Sequence, residues 1–373
     1  MKRILVVIGT RPEAIKMAPV IDALRQQQAD FEVTVCAAGQ HRELLAQTIA
    51  AFGYRVDVAL ESMTCSQSLS SLTGRLVTGL DSVVLETRPD VVLVQGDTTT
   101  AFVGSLVSYY HKCAVGHVEA GLRTRNRLAP FPEEINRRLV GVLADHHFAP
   151  TECARKALLE EGVEESRVLV TGNTVIDALL TAVERVRRSP PAMGRLEQVL
   201  RSGSTIILIT GHRRENFGRG FEEICAALRD IAKAFPKVVL VYPVHLNPNV
   251  SGPVHSLLGG LRNIVLIPPL GYLEFVRLMD ACRIILTDSG GIQEEAPSLS
   301  KPVLVMRSET ERPEAVEAGT ARLVGCSRDR IFSECARLLT DGDAYQSMVG
   351  LRNPYGDGKA ASRISEYLRK VAH

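Results

Sequence analysis

The chain has 373 residues, 45% hydrophobic and 23% charged, enough to bury two cores and too apolar for a disordered polypeptide. Forty-four Lys and Arg balance 42 Asp and Glu, so the charge selects neither nucleic acid nor an anionic membrane as partner. Eight scattered cysteines without a CxxC pair predict packing residues of a reduced cytoplasmic protein, and no apolar run approaches a membrane span or the core of a signal peptide.

In chain order, short β-branched runs alternate with segments of helical periodicity. Strands are predicted at 3–8, 33–38, 91–95, 114–118, 145–149 and 167–171, then at 205–210, 237–243, 263–267, 283–287, 302–306 and 321–325. Between them, 12–25, 98–110, 151–161, 221–235 and 328–339 carry apolar residues at helical spacing. Near-continuous apolar strands alternating with helices mean parallel sheets covered on both faces. The pattern lapses between 186 and 203, through Arg187-Arg188-Ser189-Pro190-Pro191 and Arg201-Ser202-Gly203-Ser204. That lapse predicts a boundary and a hinge. The expected architecture is α/β: two doubly wound, Rossmann-like domains, 1–188 and 189–355, facing across a cleft.

Two strand-to-helix breaks stand out. Gly9-Thr10-Arg11-Pro12-Glu13 follows the run Ile4 to Ile8, and Asp288-Ser289-Gly290-Gly291-Ile292-Gln293-Glu294-Glu295 follows Ile284-Ile285-Leu286. A helix start offers unpaired N–H groups and a positive dipole end to an anion, and Arg11 adds a forked cation. Two such loops in opposite halves suit the two ends of a nucleotide-sugar. Glu294 and Glu295 fall one helical turn beyond the glycines, within reach of ribose hydroxyls. Further clusters also end strands: Gln95-Gly96-Asp97-Thr98, His117-Val118-Glu119, Pro132-Glu133-Glu134 before Arg137, and Gly211-His212-Arg213. Taken singly, Asp97 has a helix cap as its lesser alternative reading, and Glu133 reads equally as a complement to a helix dipole. Together, Asp97, Glu119 and Glu133 belong at one sheet rim, where gathered carboxylates become proton-transfer groups. With no HExxH motif, a diphosphate would be neutralised by Arg11, Lys16, His212, Arg312 and helix ends rather than by a metal, and no cofactor is expected.

Gly9-Thr10-Arg11-Pro12-Glu13-Ala14-Ile15-Lys16-Met17-Ala18-Pro19 resembles the opening of the non-hydrolysing UDP-N-acetylglucosamine 2-epimerases of bacteria. Gly96-Asp97-Thr98-Thr99-Thr100, Gly116-His117-Val118-Glu119-Ala120-Gly121-Leu122-Arg123-Thr124 and Thr171-Gly172-Asn173-Thr174-Val175-Ile176-Asp177 are similar to further motifs of that family. So are His212-Arg213-Arg214-Glu215-Asn216, Ser289 through Pro297 and Thr310-Glu311-Arg312-Pro313-Glu314, and the likeness runs the length of the chain. It implies the glycosyltransferase-B fold, with residues 356–373 forming a helix that packs back on the first domain, and a homodimer. It also implies an elimination and re-addition. UDP leaves C1 as the C2 proton is removed, a glycal stays bound, and UDP adds back after reprotonation from the opposite face. On this resemblance Asp97, Glu119 and Glu133 are the acid/base candidates and His212 meets the departing UDP. Arg11, Lys16, Arg137, His245, Ser289, Gly290, Gly291, Glu295 and Arg312 bind the substrate. Gln40, His41, Glu43 and Arg213 mark an activating site for a second UDP-sugar. The implied product feeds cell-surface polysaccharide.

One stretch departs from the family pattern. Arg125-Asn126-Arg127-Leu128-Ala129 adds two cations near Glu119 and Glu133, where a more acidic sugar (a uronate, or a diacetamido derivative) would draw them, although an exposed variable loop is the favoured explanation because surface loops tolerate change. Ser300, where glycine is usual, reads as inconsequential. The competing activities are a hydrolysing epimerase that releases N-acetylmannosamine, a glycosyltransferase of the same layout, and a non-catalytic UDP-sugar sensor.

Overall fold

The computed structural model describes residues 1–39, 48–60 and 67–371. The chain divides into two compact units: Met1–Ala178 with Tyr355–His373, and Leu179–Pro354. Each is a parallel sheet between helices, so the α/β class with two Rossmann-like domains is as expected.

In the first unit the strands are β1 (Lys2–Ile8), β2 (Phe31–Ala37), β3 (Val58–Ala59), β4 (Val91–Gln95), β5 (Ala114–Val118), β6 (His146–Ala149) and β7 (Val168–Val170). They line up in the order β3-β2-β1-β4-β5-β6-β7. Ile4 to Ile8 are all buried, because helices cover both faces of this strand and neither side of it can be polar. The helix Arg11–Arg25 packs Ile21 and Leu24 into the core beside Ile364 and Leu368 of the last helix, Ala360–Lys370. That last helix is fastened at both ends. Asp177 accepts the N–H groups of Ala360 (3.2 Å) and Ala361 (2.9 Å) at its start, and Lys2 Nζ donates to Leu368 O (2.6 Å) at its end.

In the second unit β8 (Thr205–Thr210), β9 (Val238–Pro243), β10 (Ile264–Ile267), β11 (Ile284–Thr287), β12 (Val303–Val305) and β13 (Ala321–Leu323) order as β10-β9-β8-β11-β12-β13. The segment 186–203 is more ordered than its composition predicts: the helix Thr174–Arg188 runs into it, and Leu196–Arg201 forms a further short helix whose Leu196 is buried.

Both sheets reverse strand order at one place, between β1 and β4 in the first and between β8 and β11 in the second. Helices leaving such neighbours go to opposite faces and open a crevice at the carboxyl ends, where ligands of open α/β sheets bind. Gly9 and Gly96 follow β1 and β4; Gly211 and Asp288 follow β8 and β11. None of the described helices is long and apolar enough to cross a membrane.

Candidate active site

At the first switch point Thr10 caps the helix Arg11–Arg25, its Oγ1 accepting the Glu13 N–H at 3.5 Å. Glu13 returns the favour: its carboxylate accepts the Gly9 N–H (3.0 Å) and the Thr98 hydroxyl (2.8 Å), tying the two loops together. Gly9 has no room for a side chain, since a Cβ there would stand 2.2 Å from Thr100 Oγ1. Burial pushes the Glu13 carboxyl up to about 6 from 4.5, against the hydrogen bonds it accepts. The folded state therefore binds this proton more tightly than the unfolded one. The resulting stability is complete below about 4.5 and is lost as pH rises through about 6. Relative to Glu13→Gln, the wild type should gain about 2 kcal/mol of unfolding free energy between neutral pH and the lower end of that window. A constant difference between the two proteins in denaturant titrations across the window would contradict it.

Glu119, one residue past β5, is buried and adopts a left-handed backbone with φ +65°. Strain of that kind persists only where surrounding contacts over-determine it. Here they do: Glu119 takes both contacts from Lys16 Nζ (2.6 and 2.7 Å), one from Asn173 Nδ2 (2.8 Å) and one from Gln95 Nε2. Asp97, past β4, pairs with Arg137 Nη2 at 2.6 Å, and its backbone carbonyl accepts from Asn136 Nδ2 at 3.0 Å. Burial raises the Asp97 carboxyl above its ordinary range; Arg137 and Lys16 oppose this, and Glu119 and Glu133 add to it. Asp97, Glu119, Glu133, Lys16 and Arg137 thus form one electrostatic cluster. Glu133, half-buried, opens the helix Glu133–Leu143, and Arg11 is half-buried at the start of its own helix. His117, fully buried, contacts Gly96 O through Nε2 at 2.7 Å, and burial drives its pKa down to about 3, so it is a neutral spacer behind the Gly96-Asp97 turn.

In the second unit Asp288 organises the switch point. Its Oδ2 accepts the backbone N–H groups of His212 and Arg213, each at 2.8 Å, and Asn216 Nδ2 at 3.3 Å. The His212 ring stacks on His245, centroids 5.4 Å apart and planes 13° from parallel. Gly290 opens a helix of only six residues, Gly290–Glu295, continued by a tighter turn through Leu299. Arg312 lies over this start, its guanidinium carbon 3.8 Å from where a Gly290 Cβ would stand, and Ser289, Gly291 and Glu295 flank the same turn.

Several side chains have partners that the sequence did not announce. Lys16, expected at a diphosphate, is engaged by Glu119, and Arg312 is ion-paired to Glu294. Glu294 is buried in that pair. Arg125 is exposed and turned to Glu160 at 2.6 Å, which fits the variable-loop reading of its segment. Ser300 is not inconsequential for the backbone, since φ +54° is the left-handed conformation that favours glycine. Gln40, His41 and Glu43 lie outside the described residues. Gln95, Asn173, Glu13 and Asp288 were not expected as site residues. Gln95 and Asp288 had a signal: a polar side chain at the end of a buried strand must find a buried partner.

A parallel-sheet enzyme with carboxylates at one switch point and histidines at another is the class these features define. Residues 22–369 match the model of the UDP-N-acetylglucosamine 2-epimerase family. A UDP-N-acetylglucosamine 2-epimerase of Yersinia pestis is 55% identical over 98% of each chain, and that of Escherichia coli K12 is 54% identical over 98% of each. The crystal structure of the Neisseria meningitidis enzyme bound to UDP-GlcNAc superposes with a TM-score of 0.90 at 46% identity, covering 99% of this chain and 100% of that one. The chain belongs to the UDP-N-acetylglucosamine 2-epimerase family and is an isomerase.

Proposed function

We propose that this chain interconverts UDP-N-acetylglucosamine and UDP-N-acetylmannosamine by eliminating UDP to a bound glycal and adding it back. C2 has no neighbouring carbonyl to acidify its proton. The proton therefore departs as the C1–O bond breaks, the C2–H electrons forming the C1=C2 bond and the C1–O electrons leaving with UDP. Such a step needs carboxyl groups at the ring and cations at the diphosphate. The observation that carries this reading is the Asp97–Glu119 pair. One carboxyl is fixed by Lys16, Gln95 and Asn173, and the other is pushed by burial toward holding a proton. Asp97, Glu119 and Glu133 move protons, Arg137 holds Asp97, and Lys16 is the charge partner of Glu119. Arg11 binds the diphosphate. His212, His245, Ser289, Gly290, Gly291, Glu295 and Arg312 bind UDP, and a second UDP-sugar acts as activator through Arg213. The sugar bound in the Neisseria relative supports the same substrate here. We place the enzyme in the cytoplasm, supplying an activated sugar for polysaccharide.

Incubated with UDP-N-acetylglucosamine in EDTA, the enzyme should yield UDP-N-acetylmannosamine at an undiminished rate. Release of free N-acetylmannosamine would make it a hydrolysing epimerase, and loss of activity restored by magnesium would overturn the cation assignment. The working form is a homodimer. Leu85, Tyr109, Tyr110, Leu139 and Val142 stand exposed near the ends of three neighbouring helices, Leu69–Thr87, Thr99–Tyr110 and Glu133–Leu143. An apolar face of that kind is an association surface. Val142→Glu should shift the protein to a monomer in sedimentation, and an unchanged mass would place the interface elsewhere.

A further inference from the structure

We propose that Asp288 is the positioning residue of His212, holding its backbone and its Nδ1–H so that Nε2 is the nitrogen presented to substrate. The inference rests on the reading of His212 as the group that meets the departing UDP. Asp288 is fully buried, and its two oxygens have different duties. Oδ2 is saturated by the His212 and Arg213 N–H groups and Asn216. Oδ1 has no hydrogen-bond partner and lies 3.5 Å from His212 Nδ1. A buried carboxylate oxygen left open costs free energy, and a small rotation of the half-exposed imidazole brings His212 Nδ1–H to it as a donor. The His245 ring, stacked on the same imidazole, restrains the plane in which that rotation occurs.

A carboxylate can only accept, so the nitrogen facing Asp288 must carry hydrogen. Neutral His212 is then the Nδ1–H tautomer. When a proton arrives, it lands on Nε2, and the imidazolium is supported from behind while Nε2–H donates to the diphosphate oxygen. The arrangement is that of a carboxylate orienting a catalytic imidazole. Besides Asp288, the charged groups facing His212 are His245 and Arg213, both of which disfavour the imidazolium; burial lowers the His212 pKa overall and Asp288 opposes that shift. Tyr242 and Cys326 face Asp288 itself.

The test is Asp288→Asn with the full-length enzyme. Asn keeps an acceptor for the two backbone N–H groups but turns an N–H toward Nδ1, reversing the tautomer. Nitrogen-15 spectra of the imidazoles should show neutral His212 as Nδ1–H in the wild type and Nε2–H in the variant. The His212 titration midpoint should fall by about one pH unit, the scale of losing an adjacent opposite charge. Turnover should fall more than ~10-fold in D288N. It should fall less than about 3-fold when the same change is made in His212→Gln, because residues acting through one another are not additive. A wild-type Nε2–H tautomer, or an equal penalty in both backgrounds, overturns the proposal. The wild-type spectrum decides the pairing even if D288N folds poorly. H212Q with wild-type turnover would instead remove His212 from its role at UDP, leaving that spectrum to decide the Asp288 contact.

Discussion

Replacing Asp97, Glu119 or Glu133 by its amide is expected to lower turnover at least ~100-fold for one or more of the three, the usual scale of general acid–base catalysis. The amide keeps size and removes the ability to carry the proton. Asp97→Asn is the cleanest of the set, because the Asn oxygen can still accept from Arg137 and the backbone bond from Asn136 is untouched. Glu119→Gln is more disruptive. Lys16, Asn173 and Gln95 all donate to this carboxylate, and an amide N–H turned toward any of them meets a donor. Its loss of turnover should therefore come with a local rearrangement that NMR of the first unit would register, whereas D97N should leave the spectrum nearly unchanged. UDP affinity by calorimetry should stay near normal in all three. Three amides with wild-type turnover would remove the carboxylates from the chemistry.

The largest effect on stability should come from Gly121→Ala. Gly121 sits at φ +94°, and a Cβ there would be 2.2 Å from Ala154 O and 2.7 Å from its carbonyl carbon. Both are backbone atoms of the helix Glu152–Glu160, which cannot swing aside as a side chain can. Left-handed strain and the forced retreat of a helix together should cost about 3 kcal/mol or more. The retreat would also move Ala120 and Glu119, so activity should fall with stability. Denaturant titration showing less than about 1 kcal/mol of loss would mean the helix yields freely.

Much of this was legible in the sequence where the signal is local. Val91–Gln95, Ala114–Val118 and Thr205–Thr210 stand where their apolar runs put them, since a strand covered on both faces must be apolar throughout. β3, Val58–Ala59, left no trace because two residues carry no period. The loops after β1, β4, β5, β8 and β11 were marked by Gly, Asp and Glu breaking those runs. What the sequence could not show is pairing across distance. Nothing around Lys16 announces Glu119, 103 residues on, and nothing around Glu294 announces Arg312. A cation two turns from a phosphate-type loop reads as a phosphate ligand, and only the fold shows the carboxylate that meets it. Ser300 illustrates the converse, since its departure from glycine shows only in the backbone angle it occupies.

The central claim is that C2 loses and regains its proton while UDP is detached from C1. Proton NMR of UDP-N-acetylglucosamine with the enzyme in heavy water tests it most directly. The elimination and re-addition account predicts that UDP-N-acetylmannosamine accumulates with deuterium at C2 and that recovered substrate acquires deuterium there too, as the reverse reaction runs. Epimerised product that retains its original C2 hydrogen would contradict the account.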